Sequence, residues 1–118
     1  MKLKLWLIAI TLTLGIGLPI PVENKGYFWP MLLPELIPVC TCESGGKHFT
    51  ESGEVIRGRV NKNDIGLCQI NLDYHQLKAE KLGLDLFKEN DNIIYANHLF
   101  TEQGYEPWSA SKSCWQNM

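Results

Sequence analysis

The sequence predicts a mainly α fold, a helical domain carrying a small β-hairpin wing. Three observations predict it. Apolar residues recur at helical spacing in three separate segments. Between the first and second of these, a polar stretch from Lys47 to Lys62 that holds Gly53 and Gly58 leads into "NDIGLCQIN", whose alternating apolar and polar residues fit a short strand. Cys40, Cys42, Cys68 and Cys114 supply the cross-links that small exported domains commonly use to supplement a limited core.

The N-terminus carries the export signal. Lys2 and Lys4 precede an uncharged run from Leu5 to Val22, the basic and apolar regions of a secretory signal peptide. The run approaches the roughly 17 to 25 apolar residues that span a bilayer. Thr11, Thr13, Gly15, Gly17, Pro19 and Pro21 make it a poor permanent span, and no small-x-small cleavage site stands out. Residues 1–22 therefore read as a signal peptide, with a retained N-terminal membrane anchor as the alternative. The polar, aromatic and proline-containing stretch 23–31 reads as a linker. Residues 32–118 form the single domain for which 118 residues leave room. The expected location is periplasmic, cell-surface or extracellular. A formal charge of −2 gives no argument for nucleic acid or for a basic membrane-surface role.

"LLPELIPVCTCES" opens the domain with apolar residues at Leu33, Leu36, Ile37 and Cys40, a helical spacing that Gly45 and Gly46 are suited to stop. Pro38 disagrees with a straight helix, so the helix is kinked there or its regular part begins there. Either way Glu43 falls in the last turn. "EVIRGRV" reads as a short strand or irregular excursion with which "IGLCQIN" can pair as a small hairpin. Asp73 then caps a helix over "YHQLKAEKL", where Tyr74, Leu77 and Leu82 share a face and Gly83 ends it. "NIIYANHLFTEQ" places Ile93, Ala96 and Phe100 on one face of a longer helix that ends at Gly104. The tail, "YEPWSASKSCWQNM", shows neither a helical nor a strand period. No internal repeat and no low-complexity segment is present.

Residues two apart point to different sides of a helix, so Cys40 and Cys42 take separate partners. The first choice is Cys42 with Cys114, tying the first helix to the tail, which leaves Cys40 with Cys68 as a second bridge. Cys40 with Cys114 stays open. A zinc site is the rival, but C-x-C without a second matching pair is not a usual structural zinc spacing. His48, His75 and His98 show no ligand spacing and read as surface or packing residues. No metal and no cofactor is expected.

Glu43 and Asp64 carry the chemistry. A helix C-terminus is the negative end of the dipole, and close packing there also disfavours ionisation; both raise the proton affinity of Glu43, as a general acid requires. Asp64 follows 21 residues later beside a polar turn, where solvation keeps it anionic. One neutral acid and one anion is the division of labour that cleaves glycosidic bonds. The plain alternative is a helix-end glutamate and a turn-forming aspartate.

The surroundings of the pair separate these readings. "CESGG" followed by "DIGLCQIN" resembles the lysozyme superfamily, in particular the lytic transglycosylases with a soluble-lytic-transglycosylase-type domain and their small exported relatives. In that family a helix ends in E-S, a second segment reads G-L-M-Q-I-N, and a later helix opens with N-I. Here those positions are Glu43-Ser44, Gly66 to Asn71, and Asn92-Ile93. The resemblance runs from Leu36 to about Trp115. It implies an α+β lysozyme-like fold whose β wing flanks a glycan cleft, and cleavage of the β-1,4 bond between N-acetylmuramic acid and N-acetylglucosamine in peptidoglycan. Glu43 would act as acid and then base, and the sugar's own 6-hydroxyl would close a 1,6-anhydro ring. In hydrolytic lysozymes an aspartate directly before a Y-G-I-x-Q-I-N stretch assists the glutamate; Asp64 matches both that aspartate and one found in some transglycosylases.

By the same resemblance Ser44 orients Glu43 or substrate, Gln69 hydrogen-bonds sugar, and Asn71, Asn92 and Tyr95 belong to the substrate site. The sequence departs from the family pattern twice. Cys68 stands where methionine is usual, and the A-Y-N-A-G segment that commonly supplies an active-site tyrosine is absent, with "EPWSASKSCW" near its place. Tyr95 and Tyr105 are the candidates for that role. Trp108 and Trp115 are either sugar-stacking or core residues. The implied partner is the glycan strand of peptidoglycan, met by a monomer. A non-catalytic glycan-binding or wall-associated protein is the reading from a different class.

Overall fold

The computed structural model describes residues 31–118; the expected signal or anchor segment 1–22 and residues 23–30 of the expected linker lie outside the described residues. Among the described residues no helix is long and apolar enough to cross a membrane. The architecture is mainly helical with one two-stranded antiparallel sheet.

Helix α1 spans Leu36–Ser44. Pro38 is its third residue, within the first turn where backbone N–H groups have no intrahelical partner, so the helix runs through it without interruption. Gly45 stops α1 in the left-handed conformation (φ 78°) and returns its N–H to the Thr41 carbonyl at 2.8 Å. The buried face is Leu36, Val39 and Cys40; Ile37, expected on that face, is 53 % exposed. An irregular wing follows, joined by isolated bridges between Phe49 and Val55 and between Arg57 and Ile65.

The sheet itself lies inside the quoted motif. Strand β1, Asp64–Ile65, pairs with β2, Ile70–Asn71, in the register Asp64 to Asn71 and Ile65 to Ile70. The expected pairing of "EVIRGRV" with "IGLCQIN" is reduced to the single Arg57–Ile65 bridge. The reason is local: the turn Gly66 to Gln69 closes on itself, with the Gln69 N–H donating to the Gly66 carbonyl at 3.2 Å.

Helix α2, Leu72–Lys81, is capped by Asn71, whose Oδ1 accepts from the Tyr74 N–H at 3.1 Å; Asp73, the expected cap, lies in the first turn and accepts from Asn63 instead. The expected core face is also corrected. Tyr74, Leu77 and Leu82 are 82 %, 66 % and 49 % exposed, and Ala79 is the residue that α2 buries. The cap at the end of β2 fixes the rotation of the helix, and that rotation turns His75 and Ala79 inward.

Helix α3, Glu89–Gln103, ends at Gly104 and buries Asn92, Ile93, Tyr95, Ala96 and Leu99 along one stripe. Its Asn97 clamps the entering chain, accepting from the Leu33 N–H and donating to the Met31 carbonyl. The tail is regular after all: a 3-10 helix, Glu106–Ser111, followed by a short helix α4, Lys112–Trp115. Its period is masked because Trp108 leaves helical dihedrals (φ −113°, ψ 20°) and the two pieces are each only a turn or two long.

A polar knot joins the hairpin to the helices. Asn92, fully buried, donates to the Ile65 and Leu86 carbonyls and accepts from the Cys68 N–H. His48, 2 % exposed, accepts the Leu67 N–H on Nδ1 and meets the Phe87 carbonyl through Nε2 at 2.8 Å. Both side chains press on Gly66, where an added Cβ would stand 2.5 Å from Asn92 Nδ2 and from His48 Cε1, at a φ of +82°. Gly66→Ala is expected to lower stability by about 3 kcal/mol, through left-handed backbone and overpacking together. Urea denaturation measures it, and a loss within the noise would remove the knot from the account of the fold.

Candidate active site

The end of α1 is fastened on two sides. Cys40 is bonded to Cys68 in the hairpin turn, and Cys42 to Cys114 in α4, so Cys40 with Cys114 is not the pairing. No cysteine is free, which leaves no thiolate for a zinc site among them. Ser44 adds a third fastening: its hydroxyl donates to the Leu67 carbonyl at 2.6 Å and accepts from the Gly46 and Lys47 N–H groups. It anchors the helix end to the hairpin, and its hydrogen bonds go to backbone groups rather than to the Glu43 carboxylate. The tail closes the triangle, because the buried Trp108 donates its indole N–H to the Cys68 carbonyl at 2.9 Å.

Glu43 projects from this pinned turn into a cleft of about 300 Å³ that Asp64, Gln69, Asn71, Tyr74, His75 and Trp108 also line. Burial raises its proton affinity above the ordinary glutamate range, a hydrogen bond from Ser111 opposes this, and the negative charge of Asp64 adds to the rise. The Ser111 hydroxyl stands 2.6 Å from Glu43 Oε2. On the facing wall Asp64 accepts from Asn71 Nδ2 at 2.8 Å, across the first pair of the hairpin register.

Five of the candidate site residues singled out from the sequence therefore meet in one place: Glu43, Asp64, Gln69, Asn71 and Trp108. Asn71 has both ends of its amide committed, one to Asp64 and one to the cap of α2, so it sets the aspartate's orientation. Gln69 sits in left-handed backbone (φ 52°), a conformation that disfavours a side-chain-bearing residue by about 1–2 kcal/mol. Its amide nitrogen donates to the Gly66 carbonyl at 3.0 Å.

Ser44, Asn92 and Tyr95 do not line the cleft. Asn92 and Tyr95 are fully buried and stand outside the cleft lining, contrary to their expected place in the substrate site. Asn92 is consumed by the polar knot, and the Tyr95 hydroxyl lies 3.0 Å from His75 Nδ1 beneath the cleft wall. Tyr105, the other tyrosine candidate, stacks on Trp115 with ring centroids 4.6 Å apart, and Trp115 donates to the Trp108 carbonyl. Both are packing residues of the tail.

Ser111 and Tyr74 are the site residues that sequence reasoning missed. Ser111 had a signal: it precedes Cys114 by one helical turn, so a bridge from Cys114 to Cys42 brings it to the neighbour of Cys42, which is Glu43. Tyr74 had none, because the rotation of α2 decides whether it faces the core or the cleft.

Comparison with protein-family models, with curated proteins and with solved structures finds no match.

Proposed function

We propose that this chain is an exported, lysozyme-like glycosidase that cuts the glycan strand of peptidoglycan by lytic transglycosylation. One observation carries the reading: a half-buried glutamate with raised proton affinity shares a cleft with an aspartate held by its own hydrogen bond. The choice of peptidoglycan, and of transglycosylation, comes from the ordered motifs Glu43-Ser44, Gly66 to Asn71 and Asn92-Ile93. The two disulfides suit an oxidising, exported compartment.

In this mechanism neutral Glu43 gives its proton to the glycosidic oxygen between N-acetylmuramic acid and N-acetylglucosamine, and the bond from that oxygen to the muramic C1 breaks. The Asp64 anion stabilises the positive charge that develops on the sugar ring. Glu43, now a carboxylate, takes the proton of the 6-hydroxyl as O6 bonds to C1. The acid is regenerated, a 1,6-anhydro end forms and no water enters. Hydrolysis is the second reading. It is favoured by the position of Asp64, since the same pair can direct water to C1.

Mass spectrometry of purified peptidoglycan, digested with the protein folded under oxidising conditions, tests the reading. Anhydro ends, lighter by one water, mark a transglycosylase and reducing ends a lysozyme. An absence of released fragments would leave a non-catalytic glycan-binding protein.

Tyr74 offers an aromatic face at the cleft, 82 % exposed, of the kind on which a sugar ring stacks. Tyr74→Ala is expected to raise KM several-fold on soluble glycan fragments with kcat nearly unchanged, the signature of lost uniform binding. Equal KM values would remove Tyr74 from the path of the glycan.

A further inference from the structure

The last turn of the 3-10 helix makes a contact that no sequence motif assigns. Ser111 Oγ lies 2.6 Å from Glu43 Oε2 and 3.2 Å from the Trp108 carbonyl oxygen. A hydroxyl has one hydrogen to donate and lone pairs to accept, so it cannot donate to both oxygens at once. We propose that Ser111 is the positioning residue of Glu43: its hydroxyl turns between the Glu43 carboxylate and the Trp108 carbonyl, holding the carboxyl group in place as it passes between acid and base.

The hydrogen-bond arithmetic closes in both states. When Glu43 is ionised it can only accept, and the Ser111 hydrogen points to Oε2. When Glu43 is protonated its own hydrogen can go to Ser111 Oγ, and the Ser111 hydrogen turns to the Trp108 carbonyl. That carbonyl is a fixed target. It also accepts from Trp115 Nε1 at 3.1 Å, and Trp108 itself is buried with its indole tied to Cys68. On the other side, three residues beyond Ser111, Cys114 is bonded to Cys42, the neighbour of Glu43. Ser111 is thus held against the carboxyl group from both directions along the chain.

The consequence for proton affinity has a definite sign. Of the influences on Glu43, burial and the Asp64 charge raise its affinity for a proton and the Ser111 hydrogen bond lowers it. The other titratable groups of the cleft are Tyr74 and His75 from α2; Glu106 and Lys112, on the tail segments beside Ser111, are exposed. Removing Ser111 leaves the two raising influences unopposed. Glu43 then holds its proton to higher pH and, as a weaker acid, gives it to the glycosidic oxygen more slowly. For its catalytic consequence the inference rests on the glycosidase reading; the titration of Glu43 does not.

The test uses the full chain, folded under oxidising conditions, with Ser111→Ala and Ser111→Thr, and reads two quantities. The first is kcat/KM against pH on soluble glycan fragments. The second is the carboxyl titration of Glu43 followed by carbon NMR. Ser111→Ala is expected to lose about 10- to 100-fold at neutral pH, as loss of a hydrogen bond to a charged group implies. Its Glu43 titration and its pH profile both move upward, and Ser111→Thr restores most of the activity. Should the alanine variant not fold, Ser111→Cys keeps the volume with a weaker donor and is expected to show the same upward movement in smaller degree. A variant that folds, yet titrates and turns over with the wild-type pH dependence, overturns the proposal. If the wild type releases no fragments, the glycosidase reading falls while NMR still decides: an upward titration supports Ser111 as the positioning residue, and an unmoved one rejects it.

Discussion

Glu43→Gln is expected to reduce fragment release from peptidoglycan by roughly 10²–10⁴-fold, the range that general acid-base groups supply, while glycan binding is unchanged. Glutamine has the volume of glutamate, and its amide oxygen can still accept the hydrogen bond that Ser111 gives to Oε2. It has no proton to give the glycosidic oxygen and no carboxylate with which to take one back. Activity and binding therefore separate in this one variant, measured by product release on cell walls and by sedimentation with the same material. Wild type and variant equally inert, and equally bound, would identify a binding protein in which Glu43 serves the fold.

The same substitution has a stability signature of opposite sign. The folded state holds the Glu43 proton more tightly than the unfolded chain does, because burial and Asp64 raise its affinity. Stability from this group is complete at pH below the ordinary glutamate range and is lost as pH rises through the raised folded value. Glutamine does not ionise and escapes that loss. Glu43→Gln should accordingly melt higher than the wild type at neutral pH, with the difference closing towards acid pH. A lower Tm at neutral pH would mean that the carboxylate is held by contacts stronger than its desolvation penalty, which would weaken its assignment as the acid.

What the sequence made legible divides along a physical line. The ends of the helices were readable because Gly45, Gly83 and Gly104 stop chains by backbone conformation alone. Glu43 in the last turn of α1 follows from that local rule, as does a buried stripe through Ile93 and Ala96 on α3. The rotation of α2 was not readable, because one cap at Asn71 and one small residue, Ala79, outweigh three larger apolar residues on the exposed face. Asn92 and Tyr95 illustrate a second limit. A motif position can be filled for reasons of packing, and only their burial separates an asparagine that meets sugar from one that ties a hairpin to a helix. The tail was opaque because its shape is imposed by the Cys42–Cys114 bridge and by Trp108, both of which act between residues distant in sequence.

Opening that bridge is expected to be the most damaging change to the site short of altering Glu43. Cys42 and Cys114 are 72 residues apart, and constraining a loop of that size is worth about 4 kcal/mol in the chain-entropy account, a large share of the roughly 5–15 kcal/mol that holds a domain folded. Cys40–Cys68 closes a shorter span of 28 residues, but the two bridges differ more in access than in loop length. Cys40 and Cys68 are buried, at 1 % and 0 % exposure, whereas Cys42 is half-buried and Cys114 exposed. A thiolate reductant has to reach a sulfur to attack it, so mild reduction should open Cys42–Cys114 first. Once it opens, α4 and the 3-10 helix lose their covalent hold on α1, and Ser111 is free to leave Glu43. Activity should then fall in step with alkylation of Cys42 and Cys114, before Cys40 or Cys68 is labelled, with Cys42→Ser/Cys114→Ser giving the same loss without reductant. Full activity in a protein alkylated at both Cys42 and Cys114 would show that Trp108 and the core contacts alone keep the tail against the cleft.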